Sequence, residues 1–386
     1  MEECSSSQRV GRQGTSASGV SMVVTPHISV VIPTHLPKKN RDSLLKLFTS
    51  LKEDNLSRGL DIILVANFSR DLAFLENLLR EMREYFYDLR IFATNKESAN
   101  IARNFGAMKA RANYLYFIDD DCALIKSNYL ESLLQFMKEN EDISALGGGY
   151  TESNEQSKKR RNHVYAYLAS KWLENAVENE RGETCYLIGG NTLYRREVFD
   201  EGFNFDPQMS YGGTETSLNV QLYQHGKILI YRSEFKVYHH FNLSFFEFIK
   251  KAYRQGGGKA HNLQSNLTLK SSISKKKISS DRQVREENLF YFKLYDYFFQ
   301  LGLNSKTQKH KVPLWKRGLM KMELIFAPPL VKKIYHKVRH FLYMSGIFIY
   351  YKIIHRIFCK IYYMSEYHWR VYLRPMGNFL LGRKKK

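Results

Sequence analysis

Residues 114–122 read Tyr-Leu-Tyr-Phe-Ile-Asp-Asp-Asp-Cys, a short apolar run that ends in three adjacent carboxylates. An apolar run of this length, rich in aromatic residues, predicts a buried strand. Similar runs occupy residues 28–32, 61–66 and 89–93, and the stretches between them carry leucines at helical spacing. This alternation predicts an α/β fold in which a mostly parallel, Rossmann-like sheet has helices on both faces.

The carboxylates lie where a sheet of this kind binds its ligands. Ligands of parallel sheets bind beyond the carboxyl ends of the strands, so we expect site residues directly after Ile32, Val65 and Ile118. Residues 119–121 follow the last of these, and three adjacent carboxylates need a cation or strong donors beside them. In extended chain Asp119 and Asp121 point to one side, which suits Mg²⁺ or Mn²⁺. A solvated acidic turn or a helix N-cap is the alternative interpretation.

A second group of polar residues follows further along the chain. Residues 189–191, Gly-Gly-Asn, are predicted to follow an apolar strand and to let the backbone approach a ligand closely. Glu215 is predicted to lie in the first turn of a helix, a position that suits a structural carboxylate as well as a catalytic one. Residues 235–240 predict a strand that ends in two histidines, for which both a core position and metal ligation stay open.

Charge is unevenly distributed along the 386 residues, whose net charge is +21. Residues 301–386 carry 19 Lys and Arg against two acidic residues, so the remainder is nearly neutral. A basic segment of this kind attracts nucleic acid, anionic lipid or acidic polysaccharide. The hydrophobic content of 44% excludes global disorder, and four widely spaced cysteines exclude a disulfide scaffold and a structural zinc module.

We predict four segments from these patterns. They are a disordered, Ser-rich N-terminal tail (1–25), a catalytic domain (26–265), a polar linker or mobile loop (266–290) and a basic, aromatic-rich helical extension (291–386). Within the extension, residues 352–362 place basic and apolar side chains on separate stripes of a helix. This pattern predicts an extension that lies on an anionic membrane surface through residues 341–386. A helix packed on the catalytic domain is the alternative.

Four blocks, in this order, resemble glycosyltransferase family 2, a family of nucleotide-sugar transferases with the GT-A fold. The blocks are Ser29-Val-Val-Ile-Pro33-Thr34; Ala102-Arg103-Asn104-Phe-Gly106 with Asp119-Asp120-Asp121; Gly189-Gly190-Asn191 through Arg195–Phe199 to Gly212-Gly213-Thr214-Glu215; and Val237-Tyr-His239 with Arg254-Gln255-Gly256. Together they span residues 26–260. The resemblance implies a GT-A fold and a metal-assisted, inverting transfer of a sugar from a nucleoside-diphosphate sugar to an acceptor hydroxyl.

The resemblance also implies a role for each matching residue. Glu215 falls at the position of the family's catalytic base. Asp121 and His239 fall where the divalent cation, Mg²⁺ or Mn²⁺, is held on the donor diphosphate. The implied nucleotide-sugar-binding residues are Pro33, Thr34, Asn67, Arg103, Asp119, Asp120, Gly190 and Asn191.

Two positions depart from the family pattern. Ala66 stands where the family has an acid that contacts the base of the nucleotide, and Thr214 replaces the acid before the catalytic base. These departures keep open a catalytically impaired member that serves as a binding or scaffold subunit. A nucleic-acid-binding protein is less favoured, because it leaves the carboxylates unexplained.

The expected partners follow from the family and from the charge of the tail. They are a nucleoside-diphosphate sugar donor, a glycan or lipid-linked acceptor of surface polysaccharide or glycolipid synthesis, and an anionic membrane. No nucleic acid partner is expected. We expect the protein in the cytoplasm, peripheral on the inner face of the cell membrane.

Overall fold

A computed structural model of the chain describes residues 25–35, 41–67, 72–152, 159–209, 215–240, 243–264 and 288–307. The chain divides into two units, Met1–Asn304 and Ser305–Lys386. The strands are β1 (Ile28–Thr34), β2 (Leu60–Asn67), β3 (Asp88–Thr94), β4 (Tyr114–Ile118), β5 (Cys122–Ala123), β6 (Ile143–Gly147), β7 (Tyr150–Thr151), β8 (Asn191–Arg195), β9 (Ile228–Tyr231) and β10 (Val237–His239). The helices are α1 (Arg41–Lys52), α2 (Leu72–Met82), α3 (Ala99–Lys109), α4 (Tyr129–Glu139), α5 (Arg160–Asn175), α6 (Glu197–Asp200), α7 (Thr216–Gln224), α8 (Phe245–Gln264) and α9 (Leu289–Thr307).

Seven strands form the central sheet in the order β3-β2-β1-β4-β8-β6-β9. Neighbouring strands are parallel except on the two sides of β8, which runs antiparallel to β4 and β6. Strand β1 lies near the centre, with Val31 opposite Ile63 of β2 and Phe117 of β4. The predicted α/β fold with a mostly parallel sheet is therefore confirmed.

Both faces of this sheet are buried at its centre, which explains why the inner strands are largely apolar. Val30 and Ile32 of β1 pack into a core with α1 and α4, whereas Val31 packs on the opposite face with α3 and α7. A methyl group on Gly106 of α3 would overlap the side chain of Val31, so the glycine lets this helix lie close to the sheet. Each fully buried Val, Ile or Leu contributes about 1.5–3 kcal/mol, so the two cores fix the strand ends firmly.

A second sheet of three short strands, in the order β5-β10-β7, lies after the end of β4. Its pairing places His239 opposite Cys122, and Tyr238 opposite Thr151. The predicted strand at 235–240 is thus present as Val237–His239. The predicted strand before Gly189 is not: Leu187 and Ile188 are irregular, because an amide of α7 rather than a strand takes the Leu187 carbonyl.

The last described helices, α8 and α9, pack against each other through glycines. A methyl group on Gly256 would overlap the carbonyl oxygen of Phe299, and one on Gly302 would overlap that of Tyr253. The backbones of the two helices therefore approach as closely as they do because these positions lack a Cβ. Among the described helices, none has the length and apolar content that crossing a bilayer requires. Residues 1–24, 265–287 and 308–386, which hold the predicted tail, most of the linker and most of the extension, lie outside the described residues.

Candidate active site

The three carboxylates follow β4 on a turn. The Cys122 N–H donates to the Asp119 carbonyl oxygen over 3.1 Å, so the chain reverses directly after Ile118. The extended geometry expected for this run therefore ends with the strand. The turn sends the three carboxylates to different partners, all at the edge where β1, β2 and β4 end.

Asp119 is held by two donors. Arg103, a buried residue of α3, donates from Nη2 to Asp119 Oδ1 over 2.7 Å, and the Tyr150 hydroxyl donates to Oδ2 over 3.2 Å. Burial alone would lower the pKa of Arg103, but the negative charges of Asp119 and Glu215 more than offset it, and the pKa is raised. A charged Arg103 therefore fixes the orientation of Asp119, and its position in α3 is set by the Ser98 side chain, which caps the helix.

Asp120 turns the other way, toward the end of β1. The Thr34 hydroxyl donates to Asp120 Oδ2 over 2.6 Å. Burial, together with the neighbouring charge of Asp121, raises the pKa of Asp120 to about 8, so this carboxyl is mostly protonated at neutral pH. The repulsion expected within the run is thus relieved by protonation as well as by donors.

Predicted base-pocket residues lie beside Asp120. Pro33 and Thr34 end β1, and Asn67 ends the adjacent strand β2, where its backbone carbonyl lies 3.0 Å from Nδ1 of His35. The side-chain Oδ1 of Asn67 is buried and has no hydrogen-bond partner among the described residues. A buried amide oxygen of this kind is suited to accept an N–H from a bound ligand.

Asp121 lies beside His239, the end of β10. Asp121 Oδ1 and His239 Nε2 are 3.4 Å apart, and the His240 N–H holds the backbone of Asp121 over 2.7 Å. The Cys122 thiol lies near enough that the three ligand atoms fall within 4.8 Å of one another. The ring of Tyr150 packs edge-on against that of His239, with centroids 4.5 Å apart.

The chemistry of this cluster favours two of its three members as cation ligands. Burial and the charge of Lys251 lower the pKa of His239 well below its usual value, so the imidazole is neutral, as a ligand must be. Burial raises the pKa of the Cys122 thiol well above its usual value, so it stays protonated and a poor ligand. Asp121 and His239 therefore fit one side of a Mn²⁺ or Mg²⁺ ion, with further positions left to phosphate oxygens.

Glu215 occupies the N-cap position of α7, and its carbonyl oxygen accepts from the Asn219 N–H over 3.0 Å. Burial raises the pKa of the Tyr165 phenol, and the charges of Glu215, Asp121 and Asp119 raise it further. Burial also raises the pKa of Tyr150, and the negative charges of the same three carboxylates raise it further. Both phenols therefore lie within electrostatic reach of Glu215 and of Asp121. Residues 210–214, including the predicted Gly-Gly-Thr, are outside the described residues.

Several residues around these phenols have no counterpart among the predicted site residues. Gln255 of α8 donates from Nε2 to the Tyr165 hydroxyl over 2.9 Å and accepts from the Tyr295 hydroxyl of α9. The ammonium of Lys251 lies 4.4 Å from the centroid of the Tyr165 ring. The Arg-Gln-Gly block at 254–256 signals Gln255, whereas nothing in the sequence distinguishes Tyr150 and Tyr165 from the many tyrosines of the chain.

Gly190 and Asn191 support the site rather than extend into it. The Asn191 amide donates to the carbonyl oxygens of Gly149 and Phe235, and its oxygen accepts from the hydroxyls of Tyr116 and Tyr129. All of its hydrogen-bonding positions are therefore used within the protein, and a direct hydrogen bond from this side chain to a donor sugar is not expected. Gly190 lies so close to Asp119 that a Cβ there would overlap the carboxylate.

Comparison with known proteins identifies the family of the first part of the chain. Residues 29–203 match the family described as Glycosyl transferase family 2. This part of the chain is a glycosyltransferase family 2 domain. The family predicted from the motifs is thereby confirmed, although the blocks around Glu215 and His239 lie beyond the matched residues. The sequence matches none of the curated proteins with which it was compared.

Solved structures similar to this glycosyltransferase chain share little sequence with it. The mannosyltransferase PcManGT from Pyrobaculum calidifontis, in complex with GDP-Man and Mn²⁺, is 12% identical with a TM-score of 0.50, covering 84% of this chain and 87% of its own. TarS of S. aureus is 13% identical with a TM-score of 0.45, covering 73% of this chain and 53% of its own. At this identity the first likeness supports the GT-A fold alone.

Proposed function

We propose that the glycosyltransferase domain moves a sugar from a nucleoside-diphosphate sugar to an acceptor hydroxyl, with inversion at the anomeric carbon and with Mn²⁺ or Mg²⁺. One arrangement carries the proposal: the stretch of residues 187–190 contacts both sides, because the Gly190 carbonyl oxygen accepts from the Asp119 N–H over 3.4 Å and the Leu187 carbonyl oxygen accepts from the Asn219 amide of the helix that begins at Glu215. A cation ligand and a carboxylate base therefore border a common site. Inverting transfer needs these two groups, one for the leaving group and one for the acceptor.

The donor side is formed by the ends of β1, β2 and β4 with β10. A cation bound by Asp121 and His239 would act as a Lewis acid toward the negative charge that develops on the departing diphosphate. The ammonium of Lys251, placed by the Tyr165 ring, adds a positive charge on the same side. Asn67 supports a base pocket, because its buried Oδ1 can accept an N–H of the nucleotide base.

On the acceptor side, Glu215 takes the proton of the attacking hydroxyl. The oxygen forms its bond to the anomeric carbon while the bond to the diphosphate breaks on the opposite face of the sugar, so the anomeric configuration inverts. General-base assistance of this kind is worth about 10²–10⁴-fold in rate. Asp119, held by Arg103 and Tyr150, is oriented without adjustment when the donor binds.

A donor screen tests the proposal. The purified chain is incubated with UDP-, GDP-, dTDP- and CMP-sugars and Mn²⁺, and GDP-mannose is included because PcManGT was solved with it. We expect turnover of at least one donor and its loss on chelation of the metal. Glu215→Gln is expected to lower turnover by about 10²–10⁴-fold and to leave donor binding, measured by calorimetry, unchanged. Near-normal turnover by this variant would contradict the assignment of the base.

The same screen decides the alternative of a catalytically impaired family member. Ala66 is buried in the core of the sheet, so β2 presents no carboxylate to a nucleotide base at this position. Donor binding without hydrolysis or transfer, with any acceptor tried, would identify the chain as a binding or scaffold subunit. Turnover that depends on Glu215 would exclude that role.

Membrane association is proposed on sequence grounds. Residues 341–386 lie outside the described residues, and the support is their basic charge and the stripes of residues 352–362. Each Lys or Arg near an anionic surface contributes about 1 kcal/mol. We expect the full chain to sediment with liposomes that contain anionic lipids. A shorter chain that ends after Thr307, and so keeps α9, should not sediment with them. Equal sedimentation of the two chains would contradict membrane association through residues 341–386. With it would go the support for a lipid-linked acceptor and for a location on the inner face of the membrane.

A further inference from the structure

Trp172 of α5 and Tyr186 form an aromatic pair on the surface. Their ring centroids are 4.5 Å apart and their planes are inclined by 45°, and Trp172 is 45% exposed. Tryptophan is highly buried on average, so an exposed indole next to a second ring is a feature that packing does not explain. We propose that this pair is a platform for the sugar rings of a carbohydrate acceptor, an inference that rests on the proposed transferase function.

The pair is held rigidly before any ligand arrives. The Tyr186 N–H donates to the Thr184 hydroxyl oxygen over 3.1 Å, and that hydroxyl donates to the Ala176 carbonyl, directly after α5, over 3.0 Å. The loop that carries Tyr186 is thus tied to the end of the helix that carries Trp172. A preformed aromatic surface binds with little loss of conformational entropy.

Helix α5 carries both Trp172 of the platform and Tyr165, which lies near the active site. Trp172 follows Tyr165 by seven residues, so the two lie on nearly the same face of the helix, about 10 Å apart along its axis. Tyr165 is the phenol on which the charges of Glu215 and Asp121 act. The platform therefore lies about two helical turns from a residue that contacts the site through Lys251 and Gln255.

The loop that carries Tyr186 also contacts the helix of the proposed base. Leu187, which follows Tyr186, accepts from the Asn219 amide over 2.8 Å, and the Asn219 N–H donates to the carbonyl oxygen of Glu215 over 3.0 Å. The platform is thus fastened to the helix that begins at Glu215, whereas the cation ligands belong to β10 and the turn after β4. The aromatic pair therefore adjoins the helix that carries the proposed base.

The chemistry of the surface suits a glycan. The C–H faces of sugar rings are apolar and pack on aromatic faces, while their hydroxyls need polar neighbours at the rim. Residues on either side of Trp172 in α5 supply them: Lys171 pairs with Glu174 over 3.0 Å. Because both signs of charge are present, we commit to an uncharged oligosaccharide of two or more units as the occupant.

Glycan binding by the full chain tests this. An array of uncharged mono- to hexasaccharides is probed with wild type, Trp172→Ala, Tyr186→Ala, Trp172→Phe and Tyr87→Ala, the last being an exposed aromatic directly before β3, at the opposite edge of the sheet. We expect wild type to bind at least one oligosaccharide and no monosaccharide as tightly. Both platform alanine variants should lose about tenfold in affinity, whereas Trp172→Phe and Tyr87→Ala should stay near wild type.

Three outcomes would overturn the inference. They are the absence of oligosaccharide binding by wild type, an unchanged affinity in both platform alanine variants, and an equal loss in Tyr87→Ala, which would indicate non-specific adsorption. Calorimetry of nucleotide and Mn²⁺ binding shows whether each variant is folded; where an alanine variant is not, Trp172→Leu or Tyr186→Leu, which keeps apolar volume but removes the aromatic face, replaces it with the same expected loss. Failure of the proposed function has a separate signature, because nucleotide-sugar hydrolysis without acceptor would then be absent in wild type whatever the array shows.

Discussion

Replacing Gly190 by alanine tests how closely the site is packed around Asp119. A methyl group at this position would lie 2.2 Å from Asp119 Oδ2 and 2.4 Å from the Tyr150 hydroxyl, where ordinary contact needs at least 3.4 Å. The backbone at Gly190 is not in the left-handed region, so alanine is acceptable to the chain itself. The overlap must therefore be relieved by the carboxylate and the phenol, which have to move by about 1 Å.

A displacement of this size should affect the stability of the fold and the rate of the reaction to different extents. The hydrogen bond from Tyr150 to Asp119, already 3.2 Å long, is lost, while Arg103 retains the other carboxylate oxygen. Overpacking of this kind destabilises a fold by about 1–3 kcal/mol, and misplacing a reacting group by about 1 Å lowers the rate by about 10²-fold. We therefore expect a folded protein whose kcat/KM for the donor found in the screen falls about 10²-fold, measured by release of nucleoside diphosphate.

The adjacent glycine provides the control. A methyl group on Gly189 would lie 3.1 Å from the nearest atom of the Arg103 guanidinium, a contact that a small shift relieves. Gly189→Ala should therefore lower kcat/KM much less than Gly190→Ala. The explanation fails if Gly190→Ala stays within about threefold of wild type, or if the two variants lose the same activity.

Three further perturbations follow from the same geometry. Asp121→Asn and His239→Ala should each abolish the calorimetric difference between donor binding with and without Mn²⁺, and retention of that difference in both would remove the cation from this site. Lys251→Met keeps the contact with Tyr165 but removes a charge near the diphosphate, and should lower kcat/KM about tenfold; a similar loss in Lys259→Met, on the same helix, would contradict a local effect. Asp61→Ala removes the buried carboxylate that lies 2.6 Å from the guanidinium of Arg90, which keeps Asp88 as a partner, and should lower the free energy of unfolding by about 1.5–3 kcal/mol in urea titrations; a loss below about 1 kcal/mol would refute the contribution of this pair.

The parts of the fold that the sequence predicts are those fixed by burial. Strands β1, β2 and β4 are buried on both faces, so they are largely apolar and stand out from the helices between them. The carboxylates, Glu215 and His239 follow from residue type together with family motifs. The proximity of Asp121 and His239 depends on β10, which pairs with the two residues of β5, and pairings this short leave almost no pattern in a sequence.

Other parts could not be predicted for identifiable reasons. Tyr150 and Tyr165 belong to the site only because of the residues that the fold places beside them. In a sequence, a tyrosine that lines a site cannot be told from one that fills a core. Asn191 matches a binding motif, yet its amide is fully used by Gly149, Phe235 and two tyrosines, which only the fold reveals. The apolar residues before Gly189 resemble a strand because they are buried, although an amide of α7 rather than a neighbouring strand takes the Leu187 carbonyl.

The reversed direction of β8 has a consequence for how this enzyme can change. In a fully parallel sheet, every strand delivers its outgoing loop to the edge that binds ligands. Here one strand delivers its incoming loop instead, the stretch with Tyr186 that leads to Asn191. Insertions or exchanges in that stretch reshape the approach to Glu215 while the segments after β1, β2 and β4 keep their lengths and sequences. The two groups of segments that meet at this edge are thus separate pieces of chain, and one can change in length without the other.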